Sequence, residues 1–162
     1  HAGWSVPPRN VGAYGTEYGL RAVVAMAGLG ANLPADAVYP NAQSDAAGEP
    51  LTGGRRYVLH FPAGQGPPVR AFWSVTAYDG DGYLIANPAG RYALGDRDPL
   101  TFNADGSLDI YLQAEPPDQG RRNNWLPIDS QRAFRITARL YWPENAVLSG
   151  DWQMPGIQRV VP

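Results

Sequence analysis

RAFWSVTAYDGDGYLIANPAGRYALGDRD, Arg70 to Asp98, is the stretch that decides the fold. Together with Val69 before it, the run through Tyr78 alternates without a break. Val69, Ala71, Trp73, Val75 and Ala77 fall on one side, and Arg70, Phe72, Ser74, Thr76 and Tyr78 on the other. Such period-two patterning is that of a strand with one face in a core. The tetrapeptide Asp79-Gly80-Asp81-Gly82 supplies the turn residues of a tight hairpin, so Tyr83 to Ala86 reads as the return arm.

Working outward, the same period recurs. Tyr57, Leu59 and Phe61 alternate with Arg56, Val58 and His60. Leu108, Ile110 and Leu112 alternate with Asp109, Tyr111 and Gln113, after a second turn signal at Asn103-Ala104-Asp105-Gly106. Phe134, Ile136, Ala138, Leu140 and Trp142 alternate with Arg135, Thr137, Arg139 and Tyr141 until Pro143 ends the run. Strands punctuated by turns in this way predict a mainly β fold, a jelly-roll-like β-sandwich. Thr16 to Gly30 supplies one N-terminal helix, with Thr16 as N-cap and Gly30 as terminator. Tyr18, Ala22, Ala25, Met26 and Leu29 line one side of it, while Leu20, Val23 and Val24 make the other apolar too, so a largely buried helix is expected.

Composition bounds the function. The 162 residues suffice for a single domain, 1–162, with one core. Thirteen basic residues against 15 acidic ones, a net charge of -2, provide no positive field for nucleic acid. No stretch reaches the roughly 20 apolar residues that cross a bilayer, so direct membrane insertion is not expected. The chain has 19 glycines and 16 prolines but is also 44% hydrophobic, which argues for a turn-rich globule over a disordered one. Lacking cysteine, it forms no disulfide and has no thiolate nucleophile or metal ligand. It opens on HAGWSVPPRN without an initiator methionine, as expected of a trimmed or excised piece of a longer product.

A set of ordered strings resembles one family: YGTEYGLRAVVAMAGLGANLP, AVYPNAQSDAAGEPLTGGRRYVLHFPAG, PPVRAFWSVTAYDGDGYLIANP, RYALGDRD, ADGSLDIYLQ, NNWLPI and RLYWPENAVLSGDW. Spanning about Trp4 to Val160, they are similar to domain of unknown function family 1214. The resemblance implies a jelly-roll-like domain that follows a partner domain of family 1254 in longer bacterial proteins. It also implies export to the periplasm, the envelope or the exterior. It names no activity, and fold likeness alone assigns none.

The polar residues then define what a site could be. Arg91, Asp96, Arg97 and Asp98 form the densest charged group, one able to orient a sugar or a carboxylate, or simply to pin a loop through salt bridges. A cleft built from Arg70, Tyr78, Arg91, Asp96, Arg97 and Arg139 is the expected site for binding or processing a carbohydrate or related polar ligand. In it the arginines orient the ligand, Tyr78 stacks, and Asp96 is the acid–base group. The competing expectation is a non-catalytic assembly domain docked on the upstream domain. Trp73 belongs to the core by its phase, and Trp125 is a loop anchor.

Other constellations have plainer readings. Asp79, Asp81 and Asp105 occupy turn positions where aspartate bonds locally, which is simpler than pairing with Asp109 for glycoside chemistry. DGDG shares a fragment of a calcium loop but lacks the closing Glu. His1 and His60, the only histidines, could share copper only if the two met within metal-bonding reach; a cut site at His1 is the simpler expectation. No cofactor and no metal are expected. Without G-x-S-x-G or a P-loop there is no serine-hydrolase or nucleotide signature.

Overall fold

The computed structural model describes residues 1–28, 30–129 and 131–160. Two sheets enclose one core. The first has six strands: β1 (Trp4–Ser5), β2 (Ala37–Val38), β3 (Asn41–Ala42), β5 (Val69–Asp79), β6 (Ala93–Gly95) and β9 (Phe134–Pro143). Its order is β1-β3-β9-β5-β6, with β2 also paired to β9. The second sheet contains β4 (Arg56–Phe61), β7 (Leu108–Gln113), β8 (Trp125–Pro127) and β10 (Ile157–Val160), in the order β10-β4-β7-β8. Among the described residues only the β7–β8 pair is parallel.

The core follows from the alternation. Tyr57, Leu59, Phe61, Ile110 and Leu112 from one sheet meet Trp73, Val75, Ile136, Ala138 and Leu140 from the other, all buried. Aromatic pairs bridge the layers: Tyr57 stands edge-on to Phe134 with ring centroids 5.7 Å apart, and Phe61 meets Trp73 at 5.5 Å. Burying such side chains removes their apolar surface from water, the dominant favourable contribution to folding. Trp4 Nε1 donates to the Pro155 carbonyl at 2.8 Å, tying the first strand to the approach to the last.

The expected strands over 56–61, 108–113 and 134–143 are present. In β5 the core phase runs from Trp73 to Ala77, whereas Ala71 is exposed because the β5–β9 register slips between Val69 and Phe72. Opposite that slip Trp142 adopts φ 51, in the left-handed region few non-glycine residues enter, and its ring turns outward.

Two expectations are corrected. Tyr83 to Ala86 is not a return strand: it makes one bridge, Tyr78 to Leu84, and β6 becomes the neighbour of β5 instead. The reason is local. Asp79 Oδ1 accepts the Asp81 and Tyr83 amides, and Asn87 gathers the Arg91 amide and carbonyl with the Ile85 carbonyl, so this segment turns before it can pair.

The second correction concerns α1 (Tyr18–Ala27), which is shorter than Thr16 to Gly30 and begins from Glu17. It is not buried. Tyr18, Val23 and Met26 are 69%, 54% and 84% exposed, and only Leu20 and Val24 are half-buried among its described apolar side chains. Leu29 lies outside the described residues. A short helix α2 (Asn145–Ser149) follows β9, and a 3-10 turn over Gln119–Asn124 leads into β8.

Candidate functional site

Three places carry chemistry or unusual surface. The first is the outward face of the six-stranded sheet. Pairing of Ser74 with Arg139, Thr76 with Thr137 and Tyr78 with Arg135 collects the polar phases of β5 and β9 into one surface. Arg139 donates to Thr76 Oγ1 at 2.7 Å and to the Tyr78 hydroxyl at 2.5 Å, with its guanidinium carbon 5.7 Å from the Tyr78 ring centroid. Arg135 approaches the same ring at 5.9 Å. Phe72 stacks on Tyr141 at 4.5 Å, Arg97 stands 5.3 Å over Phe72, and Tyr39 meets Tyr141 edge-on at 6.0 Å. Burial first, then the hydrogen bond with Tyr141, pushes the Tyr39 phenol up.

This face gathers some of the expected site residues and not others. Arg139, Tyr78 and Arg97 share it, and Arg70 reaches its far end, 5.8 Å over the Trp142 ring. Asp96 accepts the Trp73 amide at 3.1 Å in the tight connection out of β6, a structural duty. Arg91 is elsewhere: its Nη1 donates to the carbonyls of Arg122 and Trp125, at 2.6 and 3.0 Å, fastening the 3-10 turn to β8. The six residues therefore do not converge on one concavity. RYALGDRD is held by hydrogen bonds to backbone, including Gly95 N–H to Asp98 Oδ2 at 2.7 Å, and no salt bridge within it is found among the described residues.

The second place is a polar pocket of ≈ 470 Å³ on the other sheet, outlined by His60, Asp105, Asp109, Tyr111, Arg121 and Asn124. Strand register places His60 opposite Asp109, and His60 Nδ1 lies 2.6 Å from Asp109 Oδ1. The other Asp109 oxygen accepts from Asn103 Nδ2 at 3.0 Å and from the Tyr111 hydroxyl at 3.4 Å. Burial, followed by the Asp109 charge, raises the Tyr111 phenol, which stays a donor. Asp105 accepts the Ser107 hydroxyl and amide at 2.7 and 2.9 Å, and these bonds hold its carboxyl below the usual range. Trp125 anchors the adjoining edge by donating to the Gln113 carbonyl at 2.8 Å.

The sequence shows both members of this dyad but not that they pair. Each occupies an outward position of a clearly alternating strand, which was the available signal; their register was not. His1 lines a different cavity from His60, and among the described residues no group of three or more His, Asp or Glu is placed to hold a metal ion.

The third place is an apolar groove of ≈ 850 Å³, lined among others by Leu20, Val23 and Val24 of α1, Leu140 of β9, and Val147 and Leu148 of α2.

The architecture defines a class, a mainly β domain of two sheets with few helices. The chain belongs to the family described as "Protein of unknown function (DUF1214)", whose model matches residues 36–145. It is similar to the VPA0106 protein from Vibrio parahaemolyticus, with 32% identity and a TM-score of 0.74 over 88% of this chain and 35% of that one. A putative uncharacterized protein from Burkholderia cenocepacia matches at 20% identity and a TM-score of 0.47, over 81% of this chain and 31% of its own. The chain thus spans about a third of the length of each of these two proteins. No curated protein matches it.

Proposed function

We propose that the domain binds a carbohydrate or related polar ligand across the outward face of the six-stranded sheet. Arg139 is the observation that carries this reading. Its guanidinium is half-buried and held by Thr76 and Tyr78, yet no carboxylate lies within 4.0 Å of it among the described residues. Two of its five N–H groups have neutral protein partners and the rest are left for a ligand oxygen. The rings of Tyr78 and Tyr141 lie beside it, with Arg97 over Phe72 at the margin. With Asp96 engaged by the Trp73 amide, the reading is for binding rather than processing.

A glycan and small-ligand screen against the wild type and Arg139→Gln tests it. The expected result is a saturable ligand whose affinity falls at least about tenfold in the variant, the loss of a charge-assisted hydrogen bond. Absence of any ligand on this face, or an affinity there that R139Q leaves unchanged, overturns the proposal.

A second reading, assembly with an upstream domain of family 1254 in an exported or envelope protein of jelly-roll-type domains, draws on the family resemblance. A specific observation favours it. The apolar residues Tyr18, Val23 and Met26 are exposed next to an apolar groove, and the similar Vibrio protein has about twice as much chain again beyond the matched region. Charging this surface with Val23→Glu and Met26→Glu in the longer protein should loosen domain association while leaving the isolated domain's stability within about 0.5 kcal/mol.

A further inference from the structure

We propose that the His60–Asp109 pocket is a second, separate binding site, for a neutral hydroxyl-rich small molecule whose hydroxyl donates to His60 Nε2. The dyad is oriented before any ligand arrives. Asp109 accepts at one oxygen from the imidazole and at the other from Asn103 and Tyr111, so neither ring nor carboxylate is free to turn. A carboxylate against Nδ1 makes that nitrogen the protonated one of the neutral ring. Nε2 is left as an acceptor with no partner among the described residues, on a side chain 45% exposed.

The pocket walls fix the ligand class. Arg121, its guanidinium 5.4 Å over the Tyr111 ring, offers donors, while His60 Nε2 and the second oxygen of Asp105 offer acceptors. Hydroxyl groups satisfy both kinds at once, since each donates one hydrogen bond and accepts others. Charge excludes the obvious rivals. With the His60 ring uncharged, Asp105 and Asp109 outnumber Arg121, so an anion meets net repulsion, and a ligand without acceptors leaves Arg121 unanswered. The ≈ 470 Å³ of space suits a molecule of monosaccharide size. This pocket lies on the four-stranded sheet and shares no residue with the Arg139 face, so the two proposals stand or fall separately.

Imidazole 15N NMR on the whole domain tests the inference, with His1 as the internal reference. In the free protein His60 should show the tautomer protonated at Nδ1. Titration with glucose, myo-inositol and glycerol should shift His60 Nε2 saturably with at least one of them while His1 stays still. Glucuronate should bind at least tenfold more weakly than glucose. Asp109→Asn should move the proton to Nε2 and weaken binding at least tenfold; His60→Gln, read through the Ser107 and Tyr111 amides, should do the same. The shift is read at His60 itself, so a ligand held only at the Arg139 face, which shares no residue with this pocket, leaves His60 still and is told apart from binding here. The inference is overturned if none of the three neutral probes gives a saturable shift, if His1 shifts in parallel, if glucuronate binds as tightly, or if D109N and H60Q keep wild-type affinity.

Discussion

Asn124 holds Thr101 from both sides of its peptide chain: its Nδ2 donates to the Thr101 carbonyl at 2.7 Å and its Oδ1 accepts the Thr101 amide at 2.8 Å. The same Nδ2 reaches the Asp109 carbonyl at 2.9 Å, so one buried amide joins the 3-10 turn, the loop before β7 and β7 itself. Asn124→Ala strands these groups and should cost about 2–3 kcal/mol in urea unfolding. Asn124→Asp, which turns a carboxylate oxygen toward the Thr101 and Asp109 carbonyls in a buried site, should cost at least as much as Asn124→Ala. Equal stability of all three proteins would contradict the clamp.

Tyr57 places a hydroxyl in the core. It accepts the Thr52 amide at 3.1 Å and donates to the Thr52 carbonyl at 3.3 Å, with no exposed surface of its own. Tyr57→Phe preserves the edge-on contact with Phe134 and removes only the hydrogen bonds, an expected loss of about 1–2 kcal/mol. Tyr57→Ala also opens a cavity, and should exceed about 3 kcal/mol by chemical denaturation.

Gly95 of β6 pairs with Ser74 of β5. A Cβ there would lie 2.2 Å from the Trp73 carbonyl oxygen, and backbone cannot swing aside as a flexible side chain does. Gly95→Ala should destabilise by about 1–3 kcal/mol. Hydrogen exchange should locate the damage at Ala93–Gly95 and the Asp96–Asp98 turn, with β7 unaffected.

Asp129 Oδ1 accepts the Gln131 and Arg132 amides at 2.7 and 2.8 Å, and these bonds, that to Arg132 foremost, hold its carboxyl below the usual range. A depressed folded-state value contributes stability that is complete above the unfolded value and disappears as pH falls through the folded one. The gap in melting temperature between wild type and Asp129→Asn should therefore be widest near neutrality and narrow in acid. A gap independent of pH would refute this account.

How far the sequence revealed the molecule depends on the range of each signal. Alternation is local, so β4, β7 and β9 were legible residue by residue, and Trp73 could be assigned to the core from its phase alone. Pairing is not local. His60 and Asp109 are 49 positions apart, and nothing in either strand announces the register that sets them face to face. RYALGDRD shows a related limit: Asp98 bonds within the run to the Gly95 amide, but Asp96 reaches Trp73 and Arg91 reaches Arg122 and Trp125, so density of charge along the chain did not become density of charge in space. The helix shows a third limit. Apolar residues all around α1 signal burial, but a pattern cannot say by what, and here Tyr18 and Met26 face outward.

The longest strands, β5 and β9 with 11 and 10 residues, lie inside their sheet, while its terminal strands β1 and β6 have two and three. The other sheet ends in β10, four residues long, and in β8, three residues closed by Pro127. Long runs of unpaired amides and carbonyls are templates for another copy's strand, and short or proline-blocked ones are not. A chain this rich in β structure is thereby guarded against edge-to-edge aggregation at high concentration, because the stretches best able to seed fibrils are not the ones at the rims.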